Sequence, residues 1–121
     1  MINPRIKIKV KTKGFDKLNA DMDRAISQGL LKGAYEVERT AKIYAPYDTG
    51  TLSRSIKTSP IRKTSLGWSI TISPSVFYAD IMEQPGNVRK RGQRPYMRPA
   101  LMDSLNKIKM HLLNEIKSVV R

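Results

Sequence analysis

The sequence predicts an α+β fold: an antiparallel sheet of about four strands, packed by one long helix from the N-terminal half and one C-terminal helix. Three patterns point to it. Residues 5–11 alternate basic and apolar with a period of two. Residues 15–44 repeat small and apolar residues at steps of three and four, and the same spacing returns from Leu101 to Val119. A chain of 121 residues fits a single domain, 1–121, with one modest core and no internal repeat.

In the first strand Ile6, Ile8 and Val10 share one face, and Arg5, Lys7, Lys9 and Lys11 share the other. A lysine-rich outer face suits an edge or a solvent-facing position. Its functional reading is a phosphate-tracking surface; its plain reading is a soluble strand face without aromatics for base stacking. Lys13-Gly14 ends the strand. From Phe15 to Tyr44 the stripe runs through Leu18, Met22, Ala25/Ile26, Gly29/Leu30, Gly33/Ala34, Val37 and Ala41, one long amphipathic helix or two with a bend. Gly29 and Gly33 each cost a helix about 1 kcal/mol relative to alanine. A kink, a close crossing by another backbone, or a contact between subunits would each account for them.

Pro46 disfavours helix at Ala45 and stops the long helix there. Asp48-Thr49-Gly50 then reads as a turn, the carboxylate accepting nearby backbone N–H groups and Gly50 free to take positive φ. Leu52 and Ile56, four apart, would be buried by either a short helical turn or the start of a strand. Ser55–Ile61 reads as a strand that Pro60 confines to an edge or bulge. Residues 63–67 read as a turn, and Trp68, Ile70 and Ile72 then alternate with Ser69, Thr71 and Ser73 as the second strand of a hairpin, Trp68 on the core side. Residues 85–95 form a polar loop of turn formers with the densest basic cluster, Arg89, Lys90, Arg91 and Arg94. Pro99 suits the first turn of the last helix. Its apolar stripe is Leu101, Leu105, Ile108, Leu112, Ile116 and Val119, and His111 falls off that stripe, as a solvated residue would.

Charge is the strongest compositional fact. Lys and Arg number 23 against 10 Asp and Glu, a net charge of +13. Between Thr49 and Ala79, and again between Gln84 and Met102, there are basic residues and no acid. Such a field attracts nucleic acid, acidic protein or anionic lipid. Cysteine is absent, which removes disulfides and thiolate metal sites. The lone His111 offers no histidine cluster for zinc, so no cofactor or metal is expected. Glu36 and Glu38 point to different sides of their helix, and no nucleophile–base pair is visible. No apolar run reaches membrane-spanning length and no apolar signal core opens the chain, so the expected compartment is a cytoplasm and no membrane partner is expected.

Ala45-Pro46-x-Asp48-Thr49-Gly50-x-Leu52-x-x-Ser55-Ile56 resembles the signature of a family of small tail components of long-tailed bacteriophages and prophages, the gene-product-ten type. Tyr78-Ala79 with Glu83 resembles a second island of that family, and Arg94-Pro95-Tyr96-Met97-Arg98-Pro99-Ala100 resembles its approach to the last helix. Order and spacing agree from about Ala41 to the C-terminus. The chain departs at Gln84-Pro85-Gly86, where the family has an aromatic and Gly-Thr, and at Tyr96, where it has Phe. The resemblance implies a structural virion protein without enzymatic activity: a neck subunit for head–tail joining or tail completion, closing into a ring around the DNA channel after assembly in the bacterial host. It implies as partners other neck or tail proteins, further copies of itself, and DNA held without sequence preference. The matching positions are Asp48, Thr49, Gly50, Leu52, Ser55, Tyr78, Glu83, Pro95, Arg98 and Pro99, with architectural roles. Arg89, Lys90, Arg91 and Arg94 are the candidate contacts to DNA or a protein partner. The alternative is a basic nucleic-acid-binding protein or a small toxin-type ribonuclease that works with Arg and Lys at phosphates.

Overall fold

The computed structural model describes residues 5–12, 20–45, 50–76 and 96–119. Within them the order is β1 (Ile6–Lys11), α1 (Ala20–Tyr44), α2 (Thr51–Ser55), β2 (Lys57–Thr58), β3 (Arg62–Thr64), β4 (Gly67–Ser73) and α3 (Met97–Val119). The architecture is the expected α+β one, a four-strand antiparallel sheet with two long helices.

β4 is the axis of the sheet. Along one edge it pairs with β1, Ile6 opposite Ile72 and Lys11 opposite Gly67. Along the other edge it takes β2 at Ile72 and Ser73 and β3 at Gly67 to Ser69. Period-two patterning then sorts the faces. Ile6, Ile8 and Val10 lie on the same side as Ile70, Ile72 and Trp68, and this side carries α1.

α1 is one continuous helix, with Asp21 and Asp23 in its first turn and Lys42 in its last, both favourable to the helix dipole. Its buried residues are Ala25, Ile26, Gly29, Leu30, Gly33, Ala34, Val37 and Ala41, the stripe read from the sequence. The glycines mark a close crossing inside the chain. A Cβ on Gly29 would lie 2.8 Å from the Leu112 Cα, and one on Gly33 would lie 3.1 Å from two Ile108 carbons. Without those side chains α3 settles directly on the α1 backbone. The core joins Leu30, Ala34, Val37 and Ala41 of α1 to Ile70 and Ile72 of the sheet and to Tyr96, Met97 and Ala100 at the start of α3. Pro99 lies in that first turn, as expected.

Several expectations are corrected. Ser55–Ile61 is not one strand. Ser55 closes the helix α2, and only Lys57 and Thr58 join the ladder before Pro60, which has no N–H to donate. Lys63 and Thr64 belong to β3, and the turn narrows to Ser65 and Leu66. The buried line of α3 keeps Ile108 of the predicted stripe, with Leu101 and Leu112 packed beside the core, but shifts partly away from it. Met97, Ala100, Ser104 and Ile108 face inward, while Leu105 is 38% exposed. Ser104 is buried against α1, where its hydroxyl meets the Thr40 hydroxyl at 3.3 Å. His111 follows the same shift and faces Glu36, Nε2 to Oε1 3.7 Å, instead of open solvent. Trp68 is on the core side but only half-buried, because its indole edge serves an ion pair.

Candidate interaction surfaces

The outer face of the sheet follows from the register. Lys7, Lys9 and Lys11 of β1 stand opposite Thr71, Ser69 and Gly67 of β4, and across β4 stand Arg62 opposite Ser69 and Lys57 opposite Ser73. Directly opposed residues share a face. Lys7, Lys9, Lys11, Lys57 and Arg62 are all exposed, and none has an ion pair among the described residues. A shallow polar cavity of about 210 Å³ lies among Lys7, Ser59, Arg62, Ser69 and Thr71.

The helix layer is different. The described acids Asp21, Asp23, Glu36, Glu38, Asp103 and Glu115 all belong to α1 or α3. Glu38 joins α1 to the sheet: the Thr58 N–H and hydroxyl both donate to its Oε1 at 2.8 Å, and Lys42 lies 3.1 Å from Oε2. Burial works against its charge, but those donors outweigh it and hold the carboxyl below its ordinary value. Asp23 accepts from the Trp68 indole N–H at 2.8 Å and from Lys63, whose ammonium also lies 5.3 Å from the Trp68 ring centre. The Lys63 and Trp68 hydrogen bonds hold this carboxyl low as well. Glu36 is opposed by burial yet lowered by Arg39, Lys107 and His111. Lys32 pairs with Glu115, and the Tyr44 hydroxyl donates to Asp103. That hydrogen bond, first among the causes, raises the phenol above its ordinary value.

The outward side of α3 is a third surface. Met102, Leu105, Met110 and Leu113 are 38–66% exposed, and helical spacing gathers them on one side around Lys109. Among the described residues, no group of three His, Asp or Glu is placed to hold a metal ion, and no helix is long and apolar enough to cross a membrane.

The motif residues that the structure describes fall at α2 and at the start of α3. Gly50 has φ 82°, the left-handed conformation that favours glycine, and its carbonyl accepts the Arg54 N–H at 3.0 Å. Leu52 is buried. The Ser55 hydroxyl donates to the Leu52 carbonyl and accepts from the Ser75 N–H, pinning the chain just after β4. Nearby, the Ser53 hydroxyl caps the Lys42 carbonyl at 3.0 Å, joining α2 to the last turn of α1. Arg98 and Pro99 lie in the first turn of α3. Asp48, Thr49, Tyr78, Glu83, Pro95, Arg89, Lys90, Arg91 and Arg94 lie outside the described residues. The structure thus gathers Gly50, Leu52 and Ser55 around α2 and puts Arg98 and Pro99 on another element. The β1 half of the sheet face is legible in the sequence as a candidate phosphate-tracking surface, and its continuation through Lys57 and Arg62 is not.

Such a molecule is a small two-layer α+β subunit whose distinguishing features are surfaces: one cationic sheet face and one apolar helix side. The model of the family described as "Bacteriophage HK97-gp10, putative tail-component" matches residues 10–84, and the chain belongs to that family. The match takes in α1, the Asp48-Thr49-Gly50 corner, Tyr78 and Glu83, and ends before the Pro95–Pro99 island. Neither a curated protein nor a solved structure matches the chain. The family is one of phage tail components, which makes the virion its place and other phage tail proteins its partners.

Proposed function

We propose that the chain is a non-enzymatic structural subunit of the neck, at the head–tail junction, that closes into a ring around the DNA channel. The observation that carries this is the outer side of α3. Met102, Leu105, Met110 and Leu113 remain exposed on a chain whose family builds tails, and a neighbouring copy would remove them from water. At about 25 cal/mol per Å² of apolar surface, even a few hundred Å² is a substantial gain. Lys109 stands in the middle of this side. A two-fold pairing would bring two such ammonium groups together, so the side is better met by a different surface of the next copy. Repeated about an axis, that head-to-tail contact closes a ring. Arg89, Lys90, Arg91 and Arg94, the densest basic cluster of the sequence, are proposed to dock the next neck protein.

The test is imaging of isolated necks and light scattering on the purified protein, for the parent and for Met110→Glu/Leu113→Glu. A ring in parent necks that the variant fails to build supports the proposal. A stable two-fold dimer in both settings, or normal necks built from the variant, would overturn it.

A further inference from the structure

Lys7, Lys9 and Lys11 come from one end of the chain and Lys57 and Arg62 from its middle, and only their shared pairing with β4 brings them together. We infer that the outer face of the sheet binds the phosphate backbone of double-stranded DNA without reading its sequence. Ser73 and Thr71 are partly exposed along β4 and Ser69 lies buried beneath the flanking side chains, with lysines of β1 on one side and Lys57 and Arg62 on the other. Strands lie about 4.8 Å apart, so Lys9 and Arg62 flank Ser69 across roughly 10 Å, and successive lysines of β1 stand about 6.7 Å apart. The polar cavity among Lys7, Ser59, Arg62, Ser69 and Thr71 is the floor of that trough.

The chemistry of the face selects its partner. Its outward strand positions hold lysine, arginine, serine, threonine and glycine, with no aromatic or large aliphatic side chain. Lysine, arginine and hydroxyl side chains are what phosphate oxygens receive, whereas a protein interface needs an apolar or aromatic centre. Among the described residues no aromatic stands at an outward strand position of this face, and Trp68 donates to Asp23 of α1, so the stacking on which single strands are held is not provided there. A strip of cations and hydroxyls therefore suits a duplex held by its backbone. Uncompensated charge adds to the argument. Lys7, Lys9, Lys11, Lys57 and Arg62 lack acidic partners among the described residues, while Lys63, next to Arg62 but on the other side of the sheet, is paired with Asp23. The inference draws on the proposed neck role only in taking duplex DNA as the polyanion at hand.

The experiment measures binding of the full-length protein to a mixed-sequence duplex over a range of salt concentrations. Lys7→Gln/Lys9→Gln/Arg62→Gln should lower the slope of log K against log salt by about 2.7, three contacts at roughly 0.9 each. Arg24→Gln/Lys109→Gln/Lys117→Gln changes net charge equally but on the helices, and should leave the slope within about one contact of the parent. Lys7→Arg/Lys9→Arg, which keeps the charge, should bind as the parent does and shows that the strand still forms. Equal losses in the two triple variants would overturn the inference, as would no binding by the parent. A sheet variant with unchanged slope would also overturn it, and if that variant no longer joined tails the face would be a dock for an acidic protein. So would an Arg89→Gln/Lys90→Gln/Arg91→Gln protein that lost the whole slope by itself. None of these readouts requires a ring, so the inference and the neck assignment fail separately.

Discussion

Arg62 and Lys63 are consecutive in β3 and meet opposite surroundings. Lys63 points toward α1, where Asp23 accepts its hydrogen bond and Trp68 offers its ring. Arg62 points outward, over Ser69 and across from Lys9. The contrast extends to the whole of each layer. On the helices Asp21 faces Arg24, Glu36 faces Arg39 and Lys107, Glu38 faces Lys42, and Glu115 faces Lys32. Among the described residues, the charged side chains of the outer sheet face are cations alone. Pairing therefore neutralises much of the described helix layer, while Lys7, Lys9, Lys11, Lys57 and Arg62 share one surface with no acid beside them. The helix layer carries stability and the sheet face carries charge that is free to act on something else, and substitutions on the two should behave differently.

The largest effect belongs to the helix crossing. Gly29→Val should destabilise the fold by about 2–3 kcal/mol, the cost of overpacking a tight contact, because its Cβ meets Leu112 backbone and not a movable side-chain tip. Lys7→Gln on the sheet face should stay within about 0.5 kcal/mol of the parent. Chemical denaturation of the two variants gives the comparison, and equal shifts would remove the distinction between the layers.

Next comes the carboxylate that joins them. Glu38→Ala leaves the Thr58 N–H without its acceptor, and a partly buried orphan of this kind costs about 1–2 kcal/mol. Glu38→Gln keeps an acceptor oxygen and should lose less. Similar losses for both would mean that charge, not the hydrogen bond to β2, is what matters at this site. Gly50→Val should follow at roughly 1 kcal/mol or more, since a β-branched residue resists the φ of 82° found there. A melt identical to the parent would show that α2 can begin without that conformation.

These effects also show what was legible. The alternation in β1 and the small-residue stripe of α1 were plain because each face meets a single environment along its whole length. α3 was harder, since its first turn enters the core while the rest packs chiefly along α1. Leucines there do not all point inward, Ser104 does, and His111 turns partly toward Glu36. The strand expected at Ser55–Ile61 failed because the buried spacing of Leu52 and Ile56 fits the end of a helix as well as the start of a strand. The cationic face was illegible as a whole. Its members lie some fifty positions apart, roughly a third of the chain or more, and only tertiary register joins β1 to β3 across β4. The basic loop that dominated the linear pattern lies outside the described residues.

A pH titration separates the layers without any mutation. The carboxyls of Asp23, Glu36 and Glu38 are lower in the folded chain than their ordinary values. A depressed folded pKa contributes stability that is present above the unfolded value and is lost as pH falls through the folded one. Stability should therefore hold from neutral pH down to about 5 and decline below about 4, where unfolded Asp and Glu begin to take up protons. Glu38→Gln should weaken that decline by removing one of its sources. The described strand positions of the outer sheet face hold no carboxylate, so the salt slope of DNA binding should stay level wherever the protein remains folded.

The smallest effect has the opposite sign. Lys9 lies between Lys7 and Lys11 on one strand, each about 6.7 Å away. In water, unit charges at that distance repel by a few tenths of a kcal/mol, less once salt screens them. Lys9→Gln should raise Tm by roughly a degree or two at low ionic strength, and the gain should shrink as salt is added. Arg39→Gln, which removes a cation paired with Glu36, should lower Tm under the same conditions. Both are single losses of positive charge from an exposed position, so a general excess of charge would move both in one direction. Opposite shifts that converge at high salt would assign repulsion to the sheet face, where Lys9 stands between two cations of its own sign. Parallel shifts would return the charge to the molecule as a whole and remove the electrostatic ground for a DNA-facing sheet.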